Sequence, residues 1–187
     1  GYDDIFVTGS MNYPFPYSVN KMLLNLKGNG FVDSEFILGM EPRRGNRLTK
    51  PWFDLDCSGV DQGHKECKKN QLKGKVTIAG ALGSRSSVVF DLDGDGDLDV
   101  VTNEFNDKPM VLISDLSKRR PIQFIKVALR GKASNRFGLG SVVKVHTPTK
   151  VYTKVHDGKS GYLSQSLLPL YFGLEKENTV TKIEIQW

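Results

Sequence analysis

The chain has 187 residues, with 39% hydrophobic and 10% aromatic residues, which is enough to build a core and excludes an intrinsically disordered chain. Its 26 Lys and Arg against 21 Asp and Glu leave a formal charge of +5. No apolar run approaches the ~20 residues of a membrane span, and 19 glycines suit many tight turns between short strands.

Taken in chain order, the first element is a strand from Ile5 to Thr8, preceded by Asp4. After a loop rich in Pro and Tyr come the apolar runs Lys21 to Leu26 and Phe31 onward, separated by Gly28-Asn29-Gly30. That turn between two apolar runs predicts a β-hairpin. Next, Asp54-Leu55-Asp56-Cys57-Ser58-Gly59-Val60-Asp61 has the spacing of a degenerate cation loop. Asp54, Asp56, Ser58 and Gly59 occupy positions 1, 3, 5 and 6, but Asp61 falls one residue early. It is either a second calcium site or an acidic surface turn. The polar, lysine-rich stretch from Asp61 to Lys75 reads as part of an insertion spanning about 45–75.

The two cysteines, Cys57 and Cys67, lie in this insertion. The favoured reading is a small disulfide loop in an oxidising compartment. Two unpaired thiols, or zinc held by Cys57, His64 and Cys67, are the alternatives, the latter lacking a fourth ligand at usual spacing.

The densest chemistry follows. Asp91-Leu92-Asp93-Gly94-Asp95-Gly96-Asp97-Leu98-Asp99 sets five carboxylates between Val88-Val89-Phe90 and Val100-Val101. Such charge between two strand-like segments calls for a hard cation with oxygen ligands. Asp91, Asp93 and Asp95 supply side chains, Asp97 a backbone carbonyl and Asp99 the closing carboxylate, with Gly96 at the sharp turn. An EF-hand would need a Glu at position 12 and helices on both sides, whereas Thr102 stands there between β-branched flanks. Val88 to Gly94 also resembles the opening motif of the haloacid-dehalogenase-like phosphatases, but Asp95 follows the glycine instead of Thr or Val. A solvated acidic turn without metal is the bland alternative.

The tail of this loop echoes the start of the chain. Gly1-Tyr2-Asp3-Asp4-Ile5-Phe6-Val7 aligns with Gly96-Asp97-Leu98-Asp99-Val100-Val101-Thr102, so Asp4 matches the closing ligand Asp99. In that register the chain is expected to start inside a metal loop. Strand, D-x-D-x-D-G-x-x-D loop, strand, and the turn Asn25-Leu26-Lys27-Gly28-Asn29-Gly30-Phe31 together resemble the FG-GAP/VCBS repeat, the calcium-bearing blade of integrin-α-like β-propellers. The resemblance implies propeller blades over 1–118, with calcium stapling two strands of a blade.

From Pro121 the character changes. Ile122 to Leu129, Ser141 to His146 and Val151 to His156 read as strands, with Gly138-Leu139-Gly140 as a turn. Ser134-Asn135-Arg136-Phe137-Gly138-Leu139-Gly140, Gly161-Tyr162-Leu163-Ser164-Gln165-Ser166 and Tyr171-Phe172-Gly173-Leu174, in this order, resemble the ASPIC/UnbV domain of cartilage-acidic-protein-like secreted proteins. Thr181 to Trp187 matches that domain's last strand, and the family's usual Pro-Ser-Gly continuation is expected beyond it. The expected fold is therefore all-β, with FG-GAP blades followed by a small β-sandwich-like ASPIC/UnbV domain over 119–187.

Histidines occur only at 64, 146 and 156, and no nucleophile elbow or P-loop is present. His146 and His156, each ending a predicted strand, read as surface histidines. From Ser117 to Ser160 there are eleven Lys or Arg (118, 119, 120, 126, 130, 132, 136, 144, 150, 154 and 159) against the single acid Asp157. This is either a solvated basic face or a patch for an anionic partner, and no aromatic stacking motif points to nucleic acid. The sequence thus predicts a non-enzymatic, monomeric, secreted, periplasmic or cell-surface protein. It would use structural Ca2+ and bind an extracellular protein or an anionic glycan. The alternative is the accessory carbohydrate-binding region of a larger secreted enzyme.

Overall fold

The computed structural model describes residues 2–9, 20–42, 49–105, 107–133 and 135–187. Strands β1 (Ile5–Val7), β2 (Lys21–Asn25) and β3 (Phe31–Asp33) form an antiparallel sheet in that order. The predicted hairpin joins β2 to β3. Gly28 and Gly30 hold left-handed φ of 86° and 130°, and the Asn25 side chain accepts the Gly28 N–H at 2.8 Å. The turn residues therefore set the register that puts Asn25 opposite Phe31.

Strand β4 (Thr49–Asp56) pairs with β5 (Lys75–Ala81) as a long antiparallel ribbon with a bulge at Pro51/Phe53. The polar insertion is the excursion between them. It contains a short helix, α1 (Lys65–Lys69), that the lysine-rich composition masked. His64 caps it by accepting the Glu66 N–H, Glu66 sits in its first turn, and Lys68 and Lys69 in its last. Cys57 and Cys67 form a disulfide, with Cα atoms 5.4 Å apart. The bond sits in a small core with Leu55, against which Phe53, Leu72, Val76 and Ile78 pack. Both sulfurs are consumed and His64 serves as a cap, so the zinc alternative has no ligand set.

Strands β6 (Gly83–Phe90), β7 (Asp99–Phe105) and β8 (Met110–Leu112) make a second three-stranded antiparallel sheet. The acidic loop is the β6–β7 connection, closed by the pair Phe90 and Asp99. Strands on both flanks exclude an EF-hand. A one-turn helix, α2 (Leu116–Arg119), follows β8.

The C-terminal part is built from β9 (Phe124–Val127), β10 (Val142–His146), β11 (Val151–Val155), β12 (Leu170–Gly173) and β13 (Lys182–Gln186). One sheet runs β11-β10-β13 and the other β12-β9. Their inward side chains share one core. Val143 and Val145 of β10 and Phe172 of β12 are almost wholly buried beside Leu174, while Ile125, Val127, Tyr152 and Val180 pack around them. Lys144, between the two valines, faces solvent, as a period of two requires. Each such buried side chain contributes roughly 1.5–3 kcal/mol. Among the described residues no helix is long and apolar enough to cross a membrane.

The histidine reading needs correction. His156 is buried at 7% exposure; its backbone N–H donates to Ser141 O and its carbonyl accepts from Gly140 N. His146 lies at the opposite end of the β10–β11 pair and meets Glu184 Oε2 at 2.9 Å.

Lys182 first, and His146 second, hold the Glu184 carboxyl down to about 2 from its ordinary 4.5. A depressed acid stabilises the fold above its unfolded value, and that contribution is lost as pH falls from about 4.5 through about 2. Glu184→Gln is therefore expected to flatten the fall in urea midpoint between pH 5 and pH 2. An unchanged slope would remove Glu184 from the acid response.

Candidate metal centre

The loop from Asp91 to Asp99 is organised by its own carboxylates. Asp91 Oδ1 accepts the Gly94 N–H at 2.7 Å and Oδ2 accepts the Gly96 N–H at 3.1 Å. Asp93 Oδ1 accepts from Asp95 N at 3.3 Å, and Asp95 Oδ1 from Asp97 N at 3.1 Å. Alternate aspartates thus bond to backbone two to five residues on, which coils the loop and explains the spacing. Gly94 and Gly96 sit at φ of 82° and 96°, in the left-handed region a side chain disfavours.

Asp99 fastens the two ends. Its Oδ2 accepts the Leu92 N–H and its Oδ1 the Ser114 N–H, both at 2.8 Å, and the residue is only 1% exposed. Carboxylate oxygens of Asp91, Asp93 and Asp99 lie within 4.8 Å of one another. Two ligands of one calcium, each at about 2.4 Å, lie at most that far apart, so the three can share an ion.

The side chains of the other two aspartates reach Ser117. Asp95 turns its Oδ2 to the Ser117 hydroxyl at 2.5 Å, and this bond lowers its pKa first. Asp97 is 2% exposed. Its Oδ2 accepts the Ser117 N–H at 2.7 Å, while its Oδ1 has no hydrogen-bond partner among the described residues. A buried, orphaned carboxylate oxygen is costly without a donor or a cation. The Asp93 carboxyl is pushed up, chiefly by desolvation, with the charges of Asp95 and Asp99 adding to it.

The sequence reading missed the partners that arrive from elsewhere. Ser114 and Ser117 close the loop from the segment after β8. From β9, Lys126 brings its ammonium to 2.7 Å from Asp91 Oδ2 and lowers the Asp91 pKa. From β12, the Tyr171 hydroxyl donates to the Gly96 carbonyl at 2.7 Å. Burial, then the charges of Asp91 and Asp97, push that phenol up to about 12. Phe124 stacks on Tyr171 with ring centroids 5.3 Å apart. The available signal was alternation on β9, which puts Phe124 and Lys126 on one face.

Asp4 stands just before β1, as Asp99 stands at the head of β7. Its Oδ1 accepts the Asn25 N–H at 2.8 Å, tying the head of one strand to the end of the next. In the degenerate loop three of the side chains hold hydrogen bonds. Asp54 lies within β4 and accepts from Thr77 Oγ1 across the ribbon at 2.7 Å. Asp61 Oδ2 accepts the Asp56 N–H at 2.8 Å, and Ser58 Oγ accepts the Gly74 N–H at 2.7 Å. Among the described residues, the acids gathered at ligand distance are Asp91, Asp93 and Asp99, not Asp54, Asp56 and Asp61.

The family model described as ASPIC and UnbV matches residues 131–187. The C-terminal part of the chain is thus an ASPIC/UnbV domain, and β9, just upstream of the match, completes one of its sheets by pairing with β12. No curated protein and no solved structure matches the chain.

Proposed function

We propose that this protein is a non-enzymatic, extracellular calcium-binding β-propeller protein that acts in adhesion or in binding protein or anionic glycan, with calcium as a structural staple. The observation that carries the reading is the convergence of Asp91, Asp93 and Asp99 at ligand distance, with the orphaned Asp97 Oδ1 in the same loop. A hard divalent ion with oxygen ligands is the group this donor set suits, and it cancels the mutual repulsion of the carboxylates. The Cys57–Cys67 disulfide is compatible with an oxidising, extracellular setting.

The sheets before α2 are read as FG-GAP blades. The shared bonding of Asp4 and Asp99 supports a repeat. So does the exposure of Ile5, Val7, Phe31 and Val32, because a three-stranded sheet that leaves these bare needs a neighbouring blade to cover them.

The basic tract divides into two sets. Arg119, Lys126, Lys150 and Lys154 are committed to Asp115, Asp91, Glu175 and Asp3. Lys118, Arg120, Arg130, Lys132, Arg136, Lys144 and Lys159 are exposed and supply the charge an anionic partner would meet.

The test is a pair of thermal melts on the chain, one with calcium near 100-fold above its Kd and one with chelator. Binding linkage predicts a midpoint about 5–10 °C higher with calcium. Superimposed curves would rule out the structural metal.

A further inference from the structure

Three side chains of the C-terminal domain converge on the acidic loop. Lys126 and Tyr171 are register partners across β9 and β12, so that sheet presents them together. Lys126 Nζ meets Asp91 Oδ2 at 2.7 Å, and Tyr171 donates to Gly96 O at 2.7 Å. Phe124, stacked on Tyr171, fills the space beside Gly96, where an added Cβ would stand 2.6 Å from its ring carbon. The glycine is thus needed twice, for its φ and for this close approach.

We propose that the acidic loop is the seat of the ASPIC/UnbV domain, and that Lys126 is a resident counter-cation that sets the loop's affinity for a divalent ion. This inference rests on the calcium reading above. The Asp91 side chain is 1% exposed, and a buried carboxylate requires a compensating charge or several donors. Lys126 supplies that charge from another part of the chain, and Gly94 and Gly96 supply the donors.

A divalent ion shared by Asp91, Asp93 and Asp99 must therefore sit close to an ammonium already on one of its ligands. Either the two cations share Asp91 under mutual repulsion, or Lys126 leaves Oδ2. Both routes lower calcium affinity, and by linkage calcium weakens the lysine tether by the same factor. Tyr171 and Phe124 contact Gly96 through a carbonyl and a Cα, which carry no net charge. Those contacts survive loading and keep the domain seated while the lysine lets go. Metal occupancy would then tune how firmly the C-terminal domain is held.

The experiment is calcium titration calorimetry on the whole chain and on Lys126→Met, Lys126→Gln and Lys126→Arg, with near-ultraviolet circular dichroism reporting folding. A second readout is hydrogen exchange across residues 92–97 in Tyr171→Phe. Removing one positive charge at about 5 Å from a divalent ion is expected to tighten binding about tenfold in Met and Gln, while Arg stays near wild type. Calcium bound by Met or Gln but not by wild type would keep the counter-cation role of Lys126 and overturn the calcium reading of the wild-type chain. Faster exchange in Tyr171→Phe is the result expected of a docked domain. Unchanged or weaker affinity in folded Met or Gln variants, with wild-type binding intact, overturns the counter-cation role. Unchanged exchange in Tyr171→Phe overturns the docking role. If neither wild type nor the Lys126 variants take up calcium while folded, the calcium reading fails and this inference fails with it.

Discussion

Replacing Asp99 by Ala is expected to destabilise the chain by about 3 kcal/mol in chelator and by about 5–6 kcal/mol in saturating calcium. The first figure comes from the N–H groups of Leu92 and Ser114, which lose their charged acceptor. Each such bond is worth about 1.5–3 kcal/mol, and relief of repulsion with Asp93 offsets part of the sum. The increment in calcium is the binding free energy that only the folded loop collects, about 2.7 kcal/mol at 100-fold excess over Kd. Asp93→Ala separates the two contributions. Its side chain is exposed and accepts the Asp95 N–H at 3.3 Å, and its removal relieves repulsion with Asp95 and Asp99, so it should cost little or nothing in chelator yet lose the calcium increment. Urea unfolding in both media reads these differences directly. Equal costs of Asp99→Ala with and without calcium would remove Asp99 from the ligand set.

The contrast between these two aspartates also marks what was legible beforehand. The acidic loop was readable because it is local chemistry, Asp91, Asp93 and Asp95 each bonding to backbone two to five residues on. The Gly28-Asn29-Gly30 turn and the Cys57–Cys67 pair were readable for the same reason. The Val143/Lys144/Val145 alternation was visible too, and the ASPIC/UnbV motifs placed the last domain. Tertiary placement was not readable. Nothing near Asp95 or Asp97 in sequence announces Ser117, to which both side chains bond. Lys126 looked like one more residue of a basic tract, yet it is spent on Asp91. Asp54 satisfied a spacing rule, but β4 continues through it to Asp56 and pairs it with Thr77. Helix α1 did carry its signals, a capping His64 and a Glu-to-Lys charge order, and they were outweighed by composition. His156 misled because a histidine beside a turn is usually exposed, whereas this one is 7% exposed.

The second large effect links the core to the metal loop. Phe172 is 1% exposed in the core it shares with Val143, Val145 and Leu174, and truncating a buried Phe to Ala costs about 3–5 kcal/mol. Strand alternation points the next residue the other way, so Tyr171 faces the acidic loop while Phe172 faces the core. Phe172→Ala should therefore do more than weaken the C-terminal domain. By loosening β12 it should release the Tyr171 bond to Gly96 and speed hydrogen exchange across residues 92–97, far away in sequence. With a urea m-value of about 2 kcal/mol/M, the midpoint of the C-terminal transition should fall by about 1.5–2.5 M. Phe172→Leu, which keeps most of the buried volume, should cost much less and leave exchange in the loop near wild type. A loss below about 1 kcal/mol for the Ala variant would mean that the two sheets do not depend on a common core. A large loss with unchanged exchange in the loop would mean that the core and the acidic loop are stabilised independently, and that Tyr171 does not carry β12's hold to Gly96.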